Sequence, residues 1–432
     1  MTTFKELVED YSRHQVPGHK TVGGIHIGII IIGVGITITA FILGSQMGLR
    51  LGFWDSLHAF YLGGLLLAIV AGFTGVVGAS TRLSTAMIIK TTFGESGAKF
   101  VNSVLTLVMM GWCIVLAAFF GDAMHAGLES NWGVVSLPRE FYVALGSAAM
   151  ALITIFGFKA LDKQSLVMVP IMLGFLFTIL YLALRRMSLS DIAGLETATG
   201  PAMGLGAATS IVVGSFIVGA TIFPDLCRYV RNRPQAVTGS FIAFFLGYPV
   251  ILILSAVPSI ATGEAELMTV VTMLGFSVLG FIFLVFASLT TGTFQLYGAS
   301  LAFAALVKTD KWKLVILVAA ITAVIAIFFS IDYFLNWLTF LSILIPPISG
   351  IYVTHHLLIN RGSAIRYASP DISIPAFGAW IAGTIVAFVA HNGSLRFTSI
   401  AAIDAILVAS FCYYFLQTLA ERVTTSNNEI RD

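Results

Sequence analysis

Two adjacent hydroxyls in an apolar run, with no acid beside them, suit one kind of chemistry: holding a weakly bound cation. The stretch "SLTTGTFQLYG" (288–298) places Thr290 and Thr291 side by side. On a helix the two side chains point about 100° apart. Both still border one ion if it sits in the groove against a neighbouring broken helix. Hydroxyl and carbonyl oxygens without a carboxylate suit a monovalent cation such as Na⁺ better than a divalent one. Threonine in membranes also bonds back to its own i−4 carbonyl, and spacing alone does not separate the two readings. Aromatics offer a second kind of chemistry. Trp112 in "MMGWCIVL" lies mid-span, away from the interfacial belt where membrane Trp usually sits, and Phe216 follows "VVGS" (212–215). Two aromatics near the midplane can sandwich a planar ligand by offset stacking, and either one also serves as plain core packing.

These residues need elements to hold them, and composition says which. The chain has 432 residues, 58% hydrophobic and only 10% charged, with mean hydropathy +0.95. A soluble protein of this size needs far more charge to cover its surface. Uncharged runs recur near the ~20 residues that cross a bilayer as helix. The pattern predicts an all-α integral membrane protein with twelve transmembrane helices at 24–46, 57–79, 99–121, 141–158, 165–184, 205–223, 237–261, 278–306, 314–330, 334–358, 373–390 and 399–419. Residues 262–277 read as an amphipathic outer loop helix. Eighteen of the 23 Lys and Arg fall in alternate segments that begin with the N-terminus, which predicts both termini cytoplasmic in the plasma (inner) membrane. Under that rule Arg228, Arg231 and Arg233 act as positive-inside anchors. The polar first 22 residues do not read as a cleaved signal, so the first span serves as a signal anchor. Cys113, Cys227 and Cys412 suggest neither a disulfide framework nor a metal site. One membrane domain is expected.

Some residues are not needed by a lipid-facing helix. "GGLLLAIVAGFTGVVG" (63–78) reads as helix packing. "GVGITITAFILGSQMG" (33–48) and "VVGSFIVGAT" (212–221) instead place Gly beside Ser, Thr or Gln at mid-membrane, five spans apart. Paired interrupted spans point to an inverted-repeat transporter, because a broken helix bares backbone groups that only a protected site tolerates. The Gly214–Ser215 pair is the expected break in the sixth span. "IPPISG" (345–350) predicts a kink in the tenth span. Asp122, His125 and Asp404 are the acids and histidine placed to join a proton path, although their shallow positions equally fit snorkelling or polar packing. No GxSxG, HExxH or paired intramembrane Asp supports an enzyme, and broken helices suit alternating access better than a channel.

The chain resembles the nucleobase–cation symporters, in their cytosine permease branch, over nearly its whole length. The resemblance is carried by "VVGSFIVGAT…D..RY.RN" (212–232), "GW" (111–112), "TTG…LYGAS" (290–300) and "WLTFLSILIPPISG" (337–350). It implies a leucine-transporter-type fold: a five-plus-five inverted repeat (24–184 and 205–358) with two extra spans (373–419). It also implies a heterocycle held between Trp112 and Phe216, with Gly214 and Ser215 beside it. Sodium would meet span-one carbonyls at Gly33 and Thr37, the carbonyl of Ala287, and the hydroxyls of Thr290 and Thr291. Two positions depart from the cytosine permeases. Met109 stands where they have Gln, and Gly292 where Asn follows the threonine pair. Both lost side chains read the edge of the base, so cytosine gives way to a wider set. A purine, a hydroxymethylpyrimidine and a hydantoin-like compound stay open, with Gln46, Thr293 or Gln295 as substitute polar groups. The resemblance thus implies a sodium-coupled symporter of a planar nitrogen heterocycle. A proton-coupled carrier is the alternative, and a membrane-embedded enzyme a remote one. No organic cofactor and no nucleic acid is expected, and the carrier is expected to be a monomer in the bilayer.

Overall fold

The computed structural model describes residues 11, 14–132, 137–195, 203–265, 267–329, 341, 343–360, 371–391, 397–398 and 400–429. Nearly all of them are helical. In chain order the helices are α1 (Gly24–Gly35), α2 (Ile38–Thr81), α3 (Thr85–Phe93), α4 (Glu95–Trp132), α5 (Arg139–Ile155), α6 (Phe158–Arg186), α7 (Leu189–Gly194), α8 (Leu205–Thr221) and α9 (Pro224–Cys227). There follow α10 (Arg233–Ser240), a π-helical segment (Phe241–Gly247), α11 (Tyr248–Thr262), α12 (Leu267–Met273), α13 (Ser277–Leu306) and α14 (Lys311–Ile327). The last are α15 (Pro346–Thr354), a second π-helical segment (His355–Ile359), α16 (Ile374–His391) and α17 (Ala401–Glu429). Seven helical stretches among the described residues are long and apolar enough to cross a membrane. The expected spans fall on described helices, although part of the tenth, 334–340 and 342, lies outside the described residues.

The first span is broken. Gly35 ends α1, Ile36 (φ −78°, ψ 86°) and Thr37 (φ −130°, ψ 161°) leave helical geometry, and α2 starts at Ile38. Gly52, at φ 76° and ψ 179°, then divides α2 between the first and second spans, a conformation open essentially to glycine alone. Glycines also set how closely helices approach. A Cβ at Gly48 would lie 2.9 Å from Ala256 of α11, and one at Gly63 would lie 2.5 Å from Val212 of α8. The glycine-rich second span is therefore a packing face, as its sequence suggested.

Helices α1 and α2 pack with α8, α10 and α11, while α4 and α5 pack with α13 and α14. Helix α6 borders both groups, and α16 pairs with α17. Contacts also sort the loops by face. Val22 pairs with Val230, Arg82 bonds Val16, His26 faces Asp162, and Asp371 accepts from Ser96. Arg139 pairs with Asp122 and caps the carbonyl of Ile327, which gathers two other loops at the opposite end.

The tenth span breaks where its prolines predicted: the helical residues 341 and 343–344 end in a bend at Ile345, and Pro346 and Pro347 open α15, whose first turn lacks partners for its N–H groups anyway. Asp404 is a cap: its carboxylate accepts from the N–H of Phe397 and Thr398 and from the Thr398 hydroxyl. The segment between spans two and three contains α3, almost wholly buried.

Candidate functional site

The break in the first span frees backbone oxygens. Thr37 caps α2, its hydroxyl accepting from the Ala40 N–H at 2.9 Å and its carbonyl from the Phe41 N–H at 3.0 Å. The carbonyls one turn earlier lose their helical donors. Among the described residues no backbone N–H reaches the oxygens of Gly33, Gly35 or Ile36. Val34 is served from another helix, its carbonyl accepting from the Thr291 hydroxyl at 3.1 Å. Thr290 behaves differently and bonds back to Phe286 at 2.9 Å. Its methyl faces α1, since a Cβ at Gly33 would lie 3.2 Å from Thr290 Cγ2 and 2.6 Å from Val169 of α6. The two threonines thus divide the readings left open by their spacing. Ala287, a turn earlier on α13, is fully buried. The structure brings Gly33, Thr290 and Thr291 together beside open carbonyls, while Thr37 already spends its own carbonyl on helix α2.

The sixth span breaks elsewhere than expected. Helix α8 runs unbroken through Gly214 and Ser215 to Thr221, and the axis is interrupted at Ile222 and Phe223 before the short α9. Pro224 explains the shift, because it lacks the N–H that would continue the ladder. Ser215 offers no such obstacle; its hydroxyl simply donates to Val212 at 2.7 Å within the helix. Phe216 sits against the span-one break, its Cε1 3.2 Å from where a Gly35 Cβ would stand. Its ring partners are Phe244 at 5.2 Å and Tyr248 at 4.9 Å. Tyr248 also reaches Ser215, hydroxyl to hydroxyl, at 2.7 Å. Apart from its chain neighbours and its own helix backbone, no described atom would approach within 4 Å of a Cβ at Gly214.

Met109 and Trp112 share one face of α4, both buried. Met109 Sδ lies 3.3 Å from where a Gly298 Cβ would stand, and Met109 borders a cavity of about 10 Å³ together with Ile222 and Asp225. Among the described residues the ring partners of Phe216 do not include Trp112. A Cβ at Gly292 would run into Met150 Sδ of α5. Gln295 is buried, and its side-chain carbonyl oxygen meets no donor among the described residues.

Sequence reasoning missed Tyr248, read only as part of a hydrophobic run, and undervalued Arg228. That arginine, read as a positive-inside anchor, is 0% exposed. It donates to the carbonyls of Asp225 (3.1 Å) and Tyr11 (2.8 Å) and to the hydroxyl of Tyr297 (2.8 Å), and it stacks on Tyr229. The signal was its neighbourhood: "PDLCRYVRN" supplies an acid and an aromatic within three residues of it. Asp122 and His125 are engaged at the opposite end, with Arg139 and with the Leu137 carbonyl.

Residues 16–414 match the model of a family described as permease for cytosine/purines, uracil, thiamine, allantoin. The chain is 28% identical to the cytosine permease of Escherichia coli O157:H7 and 27% identical to that of strain K12, over 96% of each chain in both cases. Among solved structures it is similar to Mhp1, a nucleobase-cation-symport-1 family transporter, in a closed conformation with bromovinylhydantoin bound. The TM-score is 0.84 at 15% identity, over 96% of both chains. A Na⁺-coupled sialic acid symporter in a substrate-bound outward-open state shares the fold at TM-score 0.67 and 13% identity, covering 95% of this chain and 93% of that one.

Proposed function

The chain belongs to the family of permeases for cytosine, purines, uracil, thiamine and allantoin, and from that membership we propose that it imports a planar nitrogen heterocycle by sodium-coupled alternating access. Its relatives are permeases, and it is a membrane transporter rather than an enzyme. The observation that carries the proposal is the Thr291–Val34 bond across the break in the first span, beside three carbonyls without backbone donors. Such oxygens in a buried site fit a monovalent cation. Gly33 and Ile36 of the first span, Ala287, Thr290 and Thr291 are the ligands we assign; Ile36 replaces Thr37, whose carbonyl already serves Phe41. The Na⁺-coupled neighbour adds weight to sodium over protons.

The heterocycle lies between Trp112 on α4 and Phe216 on α8, with Gly214 and Ser215 at its edge and Gln295 supplying an unsatisfied carbonyl. Met109 in place of a carboxamide turns preference from cytosine toward larger or less polar ligands. The group formed by α1, α2, α8, α10 and α11 rocks against the group formed by α4, α5, α13 and α14 in the inner membrane, with the N-terminal face cytoplasmic and the carrier a monomer.

The test is counterflow in proteoliposomes preloaded with unlabelled cytosine, uracil or adenine, with the same base labelled outside. A carrier accelerates exchange of its own substrate, and an imposed sodium gradient drives uptake above that level. No exchange with any of the bases overturns the heterocycle assignment, while exchange indifferent to sodium overturns the ion.

A further inference from the structure

The proton on Ser215 is committed. Its hydroxyl donates to the Val212 carbonyl at 2.7 Å, so the contact of equal length to Tyr248 requires the tyrosine to be the donor. A serine has one proton to give. Ser215 therefore meets a ligand with a lone pair only. Tyr248 is held firmly enough to enforce this, buried to 3% exposure and packed against Phe216 at 4.9 Å. It directly follows the π-helical segment Phe241–Gly247, a turn that is rare in proteins and concentrated at functional sites. Beside Ser215, a Cβ at Gly214 would meet no described atom within 4 Å apart from its chain neighbours and its own helix backbone, which leaves room for a ligand edge.

We infer that Tyr248 is a positioning residue that sets specificity: by fixing the Ser215 hydroxyl as an acceptor, it selects heterocycles that turn an amino group toward α8 and rejects those that turn an oxo group there. This rests on the reading of that face as the heterocycle site. An oxo oxygen against the Ser215 lone pair leaves two acceptors facing each other without a proton. In Tyr248→Phe the contact that pins the Ser215 oxygen is lost, so the side chain is held only by its Val212 bond and can turn about χ1 to donate to a ligand, while the ring still packs on Phe216.

Binding of cytosine against uracil, and of adenine against hypoxanthine, is measured on the purified full-length protein in sodium. Each pair exchanges amino for oxo with little change of size. The wild type is expected to favour the amino member of at least one pair. Tyr248→Phe is expected to narrow that ratio by at least about fivefold, chiefly by strengthening the oxo ligand, since an unpaired buried polar group carries a penalty of that order. Ser215→Ala, tested beside it, is expected to abolish the amino preference, and it carries the test if the Phe variant does not fold. A purely structural tyrosine shifts both members of a pair together, and an unchanged ratio in Tyr248→Phe overturns the inference. A wild type that binds these bases without amino preference overturns it too, yet leaves the transport reading standing. Binding of none of the four bases defeats both.

Discussion

At the scale of single residues, the two threonines of α13 behave unlike each other. Thr291 serves a carbonyl of another helix, while Thr290 bonds back within its own. Thr291→Val keeps the shape and removes the donor, so it is expected to destabilise the protein by roughly 1–3 kcal/mol even without sodium. Thr290→Val, whose lost bond is intrahelical, is expected to cost less. Both are expected to shrink the melting shift that NaCl but not KCl produces, because an ion bound only by the folded state stabilises it by mass action. Equal shifts in both salts would remove sodium from the site. Gly292 gives a second residue-scale expectation. Asn there meets Met150, so Gly292→Asn lowers stability by roughly 1–3 kcal/mol and Met150→Ala restores part of it. Met109→Gln, on the face it shares with Trp112, is expected to raise affinity for cytosine without that cost. The cycle of melting temperatures and cytosine affinities checks both statements.

The helices set a different kind of constraint. The break at Ile36 and Thr37 exists because Thr37 caps α2 rather than continuing α1. Loss of that hydroxyl in Thr37→Ala is expected to cost about 1 kcal/mol, as helix caps do. Gly52 turns the chain at φ 76°, and Gly52→Ala is expected to cost roughly 1–3 kcal/mol through backbone strain. Chemical denaturation in detergent reads both. A Gly52→Ala variant as stable as the wild type would mean that this turn relaxes freely. The sixth span teaches that a weak helix former is not a break. Ser215 is absorbed into α8 by bonding its own backbone, whereas Pro224 removes a donor outright.

Across the whole molecule, Arg228 ties several elements together on one face. It joins Tyr11, the turn after α9 and the Tyr297 hydroxyl of α13, and the Lys311 ammonium sits 4.0 Å over the Tyr297 ring. Lysine cannot reproduce a planar fork that serves three acceptors. Arg228→Lys is therefore expected to open this face more often, and Cys227, fully buried next to it, is the reporter. With Cys113 and Cys412 replaced by Ser, thiol labelling of Cys227 should rise about tenfold for each 1.4 kcal/mol lost from the closed form. An unchanged labelling rate would show that Arg228 does not hold this face closed.

Local composition was enough to tell that the chain lives in a membrane, where its spans lie, that its first span is interrupted and that a threonine pair sits mid-bilayer. Each of these depends on neighbours a few residues apart. Hydropathy over about 20 residues decides insertion, and threonine is among the residues favoured as helix caps. What faces what was left to the fold. Thr291 meets Val34 across 257 residues of sequence, Arg228 meets Tyr297 across 69, and Ser215 meets Tyr248 across 33. For the same reason the sequence could not show that Gly292 abuts Met150, or that Arg228, read as a positive-inside anchor, is buried. A helical period shows which residues share a face; only packing decides whether that face meets lipid, a neighbouring helix or a ligand.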